Sequence, residues 1–349
     1  MNKDIAINKH LIGKDNPVFI IAEAGVNHNG DLSLAKKMID TAASAGADAI
    51  KFQTFRADKL VTISAPKAKY QKSSDRDESQ FAMLKKLELS NLNFKCLLSY
   101  CKRRKITFLS TPFDHESAEF LCQLGVKAFK ISSGDLTDIP LLRRIAGYNK
   151  PIILSTGMAT MKEVREAVRA VRFAGNEQII LLHCTSNYPA KYTDVNLNAI
   201  KTMNKELKLP VGYSDHTEGI EVSIAAVAMG ACIIEKHFTL DKNFSGPDHK
   251  ASLDPGELKT MVASIRNIEA AYGNGLKRPG ISENDMKKVA RKSIVLKQDT
   301  PKGVKLSLEM LAVKRPGTGI APKYLSRLVG KKAKRKINAD AVLKWDLVS

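Results

Sequence analysis

Residues 151–183 of the chain read PIILSTGMATMKEVREAVRAVRFAGNEQIILLH. Two apolar runs, PIILST (151–156) and QIILLH (178–183), flank the amphipathic segment MKEVREAVRAVRFAG (161–175), which ends in glycine as many helices do. Apolar runs without strict alternation are typical of strands that are buried on both faces of a parallel sheet. The stretch therefore predicts a strand–helix–strand unit.

The same unit recurs along the first part of the chain. Eight such units over about 250 residues are typical of a (β/α)8 barrel, or TIM barrel. A doubly wound open sheet is the alternative, although no G-x-G-x-x-G motif follows the first strand. The six further strand-like runs lie at 18–25, 48–53, 106–110, 127–132, 209–214 and 232–238.

Composition excludes several classes of protein. Apolar residues make up 44% of the chain and charged residues 26%, which excludes a disordered or collagen-like chain. No apolar run approaches the roughly 20 residues of a membrane span, and the N-terminus has no secretory h-region. The five scattered cysteines form no C-x-x-C pair. We therefore expect a cytoplasmic protein with reduced thiols and no membrane partner.

The net charge of +20 is unevenly distributed. Residues 282–349 hold 17 Lys or Arg against 6 Asp or Glu, and the preceding stretch GNGLKRPGISEND (273–285) has the Gly, Asn and Pro content of a linker. We predict a barrel domain over residues 1–281, with a short N-terminal extension (1–16) and a linker from 273. A small β-rich domain is predicted over residues 282–349.

Polar and ionisable residues occur where the predicted strands end. In a (β/α)8 barrel these ends meet at one face, where the active sites of barrel enzymes lie. Burying an ionisable group without a partner is costly, so a barrel built for stability alone would not place such groups at nearly every strand exit. The residues include Glu23, Asn27, His28, Lys51, Gln53, Thr111, Lys130, Ser133, Asp135, Ser155, His183, Ser186, Ser214, His216, Glu235 and His237.

The residue types at this face indicate an anion site beside a cation site. Lys51 and Lys130, with several hydroxyl groups, are what a phosphate or carboxylate requires, although ion pairing with Glu23 or Glu235 is the alternative. His216 and His237 follow adjacent strands and could share one divalent cation. The donor set leaves Mn²⁺, Fe²⁺, Co²⁺ and Zn²⁺ open.

Longer strings of the sequence carry a family resemblance. AEAGVNHNG (22–30), KISSGD (130–135), GYSDHT (212–217), EKHFTLD (235–241) and GPDHKASLDP (246–255) resemble the sialic acid synthases. The second part, with VKRPGTGI (313–320) and LVGKK (328–332), resembles the antifreeze-like (SAF) domain that ends members of that family. The resemblance extends over essentially the whole chain.

The resemblance implies a transferase reaction. The family condenses phosphoenolpyruvate with N-acetylmannosamine or a related 2-acetamido sugar, giving a nine-carbon 2-keto acid and phosphate. C3 of phosphoenolpyruvate attacks the sugar aldehyde, water adds at C2, and phosphate leaves by C–O cleavage. The resemblance further implies a divalent metal, usually Mn²⁺ with Mg²⁺ or Co²⁺ as alternatives, that polarises the aldehyde.

The same resemblance implies roles for individual residues. His216 and His237 match metal ligands, and Glu23 matches a residue that holds metal-bound water. Tyr188 and Asp248 match positions of the sugar site. The positions that match residues around phosphoenolpyruvate are Lys51, Gln53, Thr111, Lys130, Ser133, Ser155, Ser186 and Ser214.

Two further positions carry particular expectations. Asp135 stands where the commonest bacterial pattern has Glu, and it is expected to transfer a proton or position water, with capping of the following helix as the alternative. Arg315 matches an arginine that crosses from a partner's antifreeze-like domain to the sugar. The resemblance therefore implies a homodimer that exchanges these domains.

Three functions follow from these observations. The first is N-acetylneuraminate synthesis from N-acetylmannosamine, with N,N'-diacetyllegionaminate synthesis from 2,4-diacetamido-2,4,6-trideoxymannose as the alternative. The second is a Schiff-base lyase that uses Lys51 or Lys130. The third is nucleic-acid binding through KKAKRK (331–336), although this run lacks interleaved aromatic residues and a solvated charged face is the plainer interpretation.

Overall fold

The computed structural model describes residues 4–67 and 79–349. Residues 1–3 of the predicted N-terminal extension lie outside this part of the chain. The chain divides into two compact units, Met1–Tyr272 and Gly273–Ser349. The division precedes the predicted boundary near residue 282, because the predicted linker groups with the second unit. Within the second unit, Lys288, which follows the predicted linker, accepts a hydrogen bond of 2.7 Å at its carbonyl oxygen from the Gly317 amide.

The first unit is built on eight parallel strands. Their order in the sheet is β5-β4-β3-β10-β9-β8-β7-β6, and β5 also lies against β6. The sheet is therefore a nearly closed barrel, and the predicted (β/α)8 fold is confirmed. The strands are β3 (Phe19–Gly25), β4 (Ala49–Thr54), β5 (Thr107–Pro112), β6 (Phe129–Ile131), β7 (Ile152–Ser155), β8 (Ile179–Cys184), β9 (Val211–Asp215) and β10 (Ile233–His237).

The helices of this unit follow the strands and pack around the barrel. The helix predicted over 161–175 spans Met161–Phe173 and begins with a capping box in which Thr160 and Glu163 bond each other's backbone amides. The helices are α1 (Leu32–Ala45), α2 (Ala57–Leu60), α3 (Gln80–Leu87), α4 (Asn91–Arg103), α5 (His115–Leu124), α6 (Ile139–Ala146), α7 (Met161–Phe173), α8 (Asn198–Leu207), α9 (Glu221–Ala228) and α10 (Pro255–Ala271). None of the helices in the described residues is both long and apolar enough to cross a bilayer.

The strand register brings ionisable residues side by side at the C-terminal end of the barrel. Glu23 on β3 is paired in register with His237 on β10 and with Lys51 on β4. Glu235 on β10 is paired with Ser214 on β9. Parallel pairing thus assembles residues that are distant in sequence at one face.

An N-terminal hairpin closes the opposite end of the barrel. Strands β1 (Ile5–Ile7) and β2 (His10–Ile12) pair antiparallel around a turn at Asn8. The buried Ile5, Ile7 and Ile12 form one apolar cluster with inward-facing residues of the barrel strands. The predicted N-terminal extension is therefore partly a plug. Its strands of three residues each are too short for a periodicity to be recognised in the sequence.

The second unit is small and rich in β-structure. Helix α11 (Glu283–Ala290) precedes strands β11 (Ser293–Leu296) and β12 (Leu311–Lys314), which pair antiparallel, and helix α12 (Leu325–Leu328) follows. Isolated bridges join further extended segments, and the core includes Ile294 and Leu343. Within the run 331–336, Ala333 is buried and Lys332, Lys334, Arg335 and Lys336 are exposed.

The plug makes a direct prediction about stability. Ile7→Ala is expected to lower the free energy of unfolding by about 3 kcal/mol, because it opens a cavity at a fully buried position. Leu11→Ala is the matched control on the same hairpin; its side chain is 53% exposed, and a change within about 0.5 kcal/mol is expected. Urea denaturation followed by circular dichroism measures both. Equal effects of the two substitutions would contradict the plug.

Candidate active site at the mouth of the barrel

A cavity of about 360 Å³ opens at the C-terminal ends of the strands. Nearly all the residues that the sequence predicted for a site line it, and they come from all eight strands or the loops after them. The structure therefore brings these residues together. They are Glu23, Lys51, Gln53, Thr111, Lys130, Ser133, Ser155, Ser186, Tyr188, Ser214, His216, His237 and Asp248.

Four buried charged residues form a network at the floor of the cavity. Lys51 Nζ lies 2.6 Å from Glu23 Oε2 and 3.9 Å from Glu235 Oε2. Lys130 Nζ lies 3.4 Å from Glu235 Oε1. Glu235 therefore contacts both lysines. The ion-pairing alternative for the lysines is realised, although it does not exclude a role in binding, since these residues line the cavity.

The network determines which carboxyl group is charged. Burial would raise the pKa of Glu235, but Lys130 and Lys51 outweigh it and lower that pKa to about 2. For Glu23 burial dominates over Lys51 and raises the pKa to about 7. When Glu23 takes up a proton, the two lysines face one carboxylate, and the site gains the net positive charge that a phosphate or carboxylate requires.

Hydroxyl groups orient the lysines and Glu235. Lys130 Nζ donates to Ser155 Oγ at 2.7 Å, and Lys51 Nζ donates to Thr111 Oγ1 at 3.2 Å. Ser214 Oγ donates to Glu235 Oε1 at 2.9 Å. Because the hydroxyls are held on different strands, they fix the directions of the charged groups before a ligand enters.

The two histidines present ring nitrogens that suit a cation. His216 Nδ1 lies 2.7 Å from the Thr185 carbonyl oxygen, so Nδ1 carries the proton and Nε2 is left with a lone pair. His237 Nδ1 is buried and has no hydrogen-bond partner among the described residues. The ring centroids are 5.7 Å apart. Burial lowers the pKa of both histidines, which favours the neutral, metal-binding form.

The protein supplies few metal ligands at this point. Within residues 4–67 and 79–349, no group of three or more His, Cys, Asp or Glu side chains is arranged to hold a metal ion. Two neutral imidazoles with an orphaned ring nitrogen nevertheless fit a divalent cation whose other positions are open to water or substrate.

One predicted sugar-site residue, Tyr188, lies beside the histidines, and the other, Asp248, lines the same cavity. The Tyr188 ring centroid is 4.2 Å from that of His216 and 5.6 Å from that of His237. Asp248 is buried, and burial raises the pKa of its carboxyl group to about 6. Both residues line the cavity.

Asp135 and Arg315 are not among the residues that line this cavity. Asp135 accepts a hydrogen bond from Ser132, which does line it, and burial raises the pKa of Asp135 to about 6. The capping role considered for Asp135 belongs to Asp138, which accepts a hydrogen bond from the Leu141 amide at the start of α6. Arg315 is an exposed residue of the second unit. The roles expected of Asp135 and Arg315 stay predictions.

Sequence reasoning missed two features of the site. The sequence places Glu235 at a strand end as an ion-pair partner for either lysine, but it does not show that one carboxylate contacts both. One side of the cavity is an apolar wall, and its residues gave no signal because apolar side chains also form cores. The apolar wall consists of Leu60, Val61, Met83, Leu84, Leu87 and Phe113.

Fold and site together define a (β/α)8 barrel protein with a cavity lined by lysines, hydroxyls and two histidines at its strand ends, the face where the active sites of barrel enzymes lie. The model of the NeuB family matches residues 38–277, and that of the SAF domain matches residues 291–349. The chain therefore belongs to the NeuB family, the sialic acid synthase family that its sequence resembles.

Individual relatives agree with this assignment. The chain is 50% identical to the N,N'-diacetyllegionaminic acid synthase of Legionella pneumophila, over 96% of this chain and 95% of the relative. It is 51% identical to the synthase of the same name from Campylobacter jejuni, over 93% of this chain and 98% of the relative. A crystal structure of the N-acetylneuraminic acid synthetase from Leptospira borgpetersenii matches with a TM-score of 0.72 and 38% identity, over 82% of this chain and 95% of that one.

The charge network predicts a pH-dependent stability. Glu235→Gln is expected to lower the free energy of unfolding at pH 7 by about 3 kcal/mol, because Lys51 and Lys130 lose the carboxylate between them. The pKa of Glu235 is lowered from 4.5 to about 2. Its contribution is therefore complete above about pH 4.5 and is lost as the pH falls towards 2.

Urea denaturation at pH 7 and pH 3 measures this difference between wild type and variant. Glu206→Gln is the control, because Glu206 pairs with Arg165 at an exposed position where less than about 1 kcal/mol is expected. A Glu235→Gln variant as stable as wild type at pH 7 would contradict the network.

Proposed function

We propose that the protein condenses phosphoenolpyruvate with 2,4-diacetamido-2,4,6-trideoxymannose to form N,N'-diacetyllegionaminic acid and phosphate. N-acetylmannosamine is the sugar first expected from the sequence. The two relatives that are half identical over nearly the whole chain are named as N,N'-diacetyllegionaminic acid synthases, whereas the sialic acid synthetase is 38% identical. This difference in identity favours the alternative sugar and is the observation that carries the proposal.

The apolar wall supports the same sugar. 2,4-Diacetamido-2,4,6-trideoxymannose has a methyl group at C6 and an acetamido methyl group at C4, where N-acetylmannosamine has hydroxyls. Burying a hydroxyl against apolar side chains without a hydrogen bond costs about 1–3 kcal/mol. Met83, Leu84 and Leu87 are each less than 10% exposed and offer no side-chain hydrogen-bond donors to such hydroxyls. The methyl group at C6 avoids that cost, and the acetamido methyl group at C4 adds apolar surface that the wall can cover.

The floor of the cavity suits phosphoenolpyruvate. Lys51 and Lys130 supply positive charge for its carboxylate and phosphate groups, and Thr111, Ser133, Ser155, Ser186 and Ser214 supply hydroxyls that orient them. Proton uptake by Glu23, whose pKa is raised to about 7, balances the entering negative charge. Gln53 lies beside these groups on the cavity wall.

This placement supports the following order of bond changes. The π electrons between C2 and C3 of phosphoenolpyruvate form a bond from C3 to C1 of the open-chain sugar. The π electrons of the aldehyde C=O bond pass to its oxygen, which takes up a proton and becomes a hydroxyl group, and a water molecule adds to the electron-poor C2. Asp135, with a pKa raised to about 6, is proposed to accept the proton of that water through the hydroxyl of Ser132, which lines the cavity and donates a hydrogen bond to Asp135. The hydroxyl group at C2 then loses its proton as a C=O bond forms there, and the bond between C2 and the bridging oxygen breaks, so that phosphate leaves and takes up that proton.

The histidine pair is proposed to hold a divalent cation, Mn²⁺ in the first instance. His216 Nε2 and His237 Nδ1 are the ring nitrogens available for it. When bound, such an ion polarises a carbonyl oxygen as a Lewis acid. Tyr188 and Asp248 are proposed to orient the sugar beside the histidines. The protein is further proposed to act as a homodimer in which Arg315 of one protomer completes the sugar site of the other.

The direct test is a comparison of two sugars. Full-length protein is incubated with Mn²⁺, phosphoenolpyruvate and either sugar, and released phosphate is measured. We expect kcat/KM for 2,4-diacetamido-2,4,6-trideoxymannose to exceed that for N-acetylmannosamine by about tenfold or more. The opposite preference would favour N-acetylneuraminate synthesis as the function. The absence of phosphate release with either sugar would refute the proposed reaction.

A variant of the apolar wall tests the basis of the preference. Leu87→Asn is expected to lower the ratio of the two kcat/KM values by about tenfold, because an amide can hydrogen-bond the hydroxyls of N-acetylmannosamine and meets the methyl groups less well. The ratio is insensitive to the fraction of folded protein. Leu92→Asn, at a position that is 69% exposed, is the control. An unchanged ratio in Leu87→Asn would show that the apolar wall does not determine the preference between the two sugars.

A further inference from the structure

A second ion pair lies on the other face of strands β9 and β10, away from the cavity. Lys236 Nζ lies 2.8 Å from Asp215 Oδ2, and the two side chains are 1% and 0% exposed. Neither residue lines the cavity, and the apolar neighbours Tyr213 and Ile234 on this face belong to the core between the sheet and its helices. The pair is therefore buried in the helix–sheet layer.

Every charged atom of this pair has partners. Asp215 Oδ1 accepts hydrogen bonds from the Thr217 amide at 2.9 Å and from Thr217 Oγ1 at 2.8 Å. Asp215 Oδ2 accepts a hydrogen bond of 2.8 Å from Ser223 Oγ on α9. Lys236 Nζ also donates to the Thr217 carbonyl at 2.6 Å. The amide, the hydroxyl and the carbonyl of Thr217 are thus all held by the pair.

A buried ion pair of this kind contributes little net free energy to the stability of a fold. The desolvation of two buried charges offsets much of their attraction, and apolar residues of the same shape often serve stability as well or better. Buried ion pairs are better attested as devices that fix a register or an orientation. The position of this pair in the fold therefore indicates its role better than its contribution to the free energy of unfolding does.

The pair stands next to both histidines of the candidate cation site. Asp215 precedes His216 and Lys236 precedes His237, and the two are direct partners in the register of β9 and β10. Since side chains alternate along a strand, a link on the outer face fixes the strand positions from which the histidines project inward. Bonds to Thr217 restrain the other side of His216.

We propose that Asp215 and Lys236 are positioning residues that hold His216 and His237 at the separation a divalent cation requires. The inference rests on the proposed function, in which these histidines bind the metal. It assigns a role to two residues that touch neither substrate nor metal. Residues that hydrogen-bond metal ligands typically contribute about 10- to 100-fold in metal affinity, and we expect an effect of the same order from a pair that fixes the strand positions of the ligands.

The test measures Mn²⁺ affinity rather than activity. The dissociation constant of Mn²⁺ alone for full-length protein is obtained from the electron paramagnetic resonance signal of the free ion. The main variant is Asp215→Asn with Lys236→Met, which removes both charges together, preserves shape and leaves no unpaired buried charge. We expect it to raise the dissociation constant by about 10- to 100-fold while thermal unfolding remains cooperative.

Two controls separate positioning from stability. Arg266→Met breaks the pair between Arg266 and Asp48, whose atoms are 2.8 Å apart at the N-terminal ends of β3 and β4. It is expected to lower the melting temperature and to leave the Mn²⁺ dissociation constant within about twofold of wild type. Thr217→Val keeps both charges and removes one hydrogen bond to Asp215, so it tests the inference even if the double variant fails to fold. About a fivefold weaker affinity is expected from it.

The outcomes distinguish this inference from the proposed metal site. A His237→Ala variant that binds Mn²⁺ as tightly as wild type would show that the metal site itself is wrong, and the positioning role would be wrong with it. Loss of binding in His237→Ala, together with wild-type affinity in the double variant and in Thr217→Val, would overturn the positioning role alone. Weakened binding in the double variant and in Thr217→Val, with Arg266→Met unchanged, would support it.

Discussion

The contact of Glu235 with both Lys51 and Lys130 is the interaction on which the site depends. Two buried ammonium groups repel each other, and the carboxylate between them offsets that repulsion, although burial still lowers the pKa of Lys130. The same contact leaves Glu23 as the carboxyl group whose pKa lies near 7. Glu23 can therefore take up a proton when an anionic ligand enters the cavity, and the fold need not rearrange.

The barrel supplies the geometry that this network requires. Residues from β3, β4, β6 and β10 meet at one face because parallel strands pair in a fixed register, and the N-terminal hairpin closes the other face with apolar side chains. The outer face of β9 and β10 carries its own buried pair, Asp215 and Lys236. Side chains that line the cavity and side chains of the outer ion pair thus alternate along the same two strands.

Much of the fold and the site could be predicted from sequence, since long apolar runs reveal buried strands and polar residues reveal their ends. The N-terminal plug could not, because Ile5, Ile7 and Ile12 sit in strands of three residues each. The apolar wall gave no signal, because Leu87 is like any core leucine until the cavity is seen. Asp135 follows a strand end as predicted, yet Ser132, Ser133 and Gly134 of the same turn line the cavity and Asp135 does not.

Proton uptake on binding phosphoenolpyruvate tests the charge network most directly. Titration calorimetry at pH 8, in two buffers of different ionisation enthalpy, measures it where the ligand's phosphate, with a second pKa of about 6, carries almost no proton. The account predicts uptake by wild type, because the ligand raises the pKa of Glu23 further, and loss of that uptake in Glu23→Gln. Binding without uptake in wild type, or equal uptake in both proteins, would contradict it.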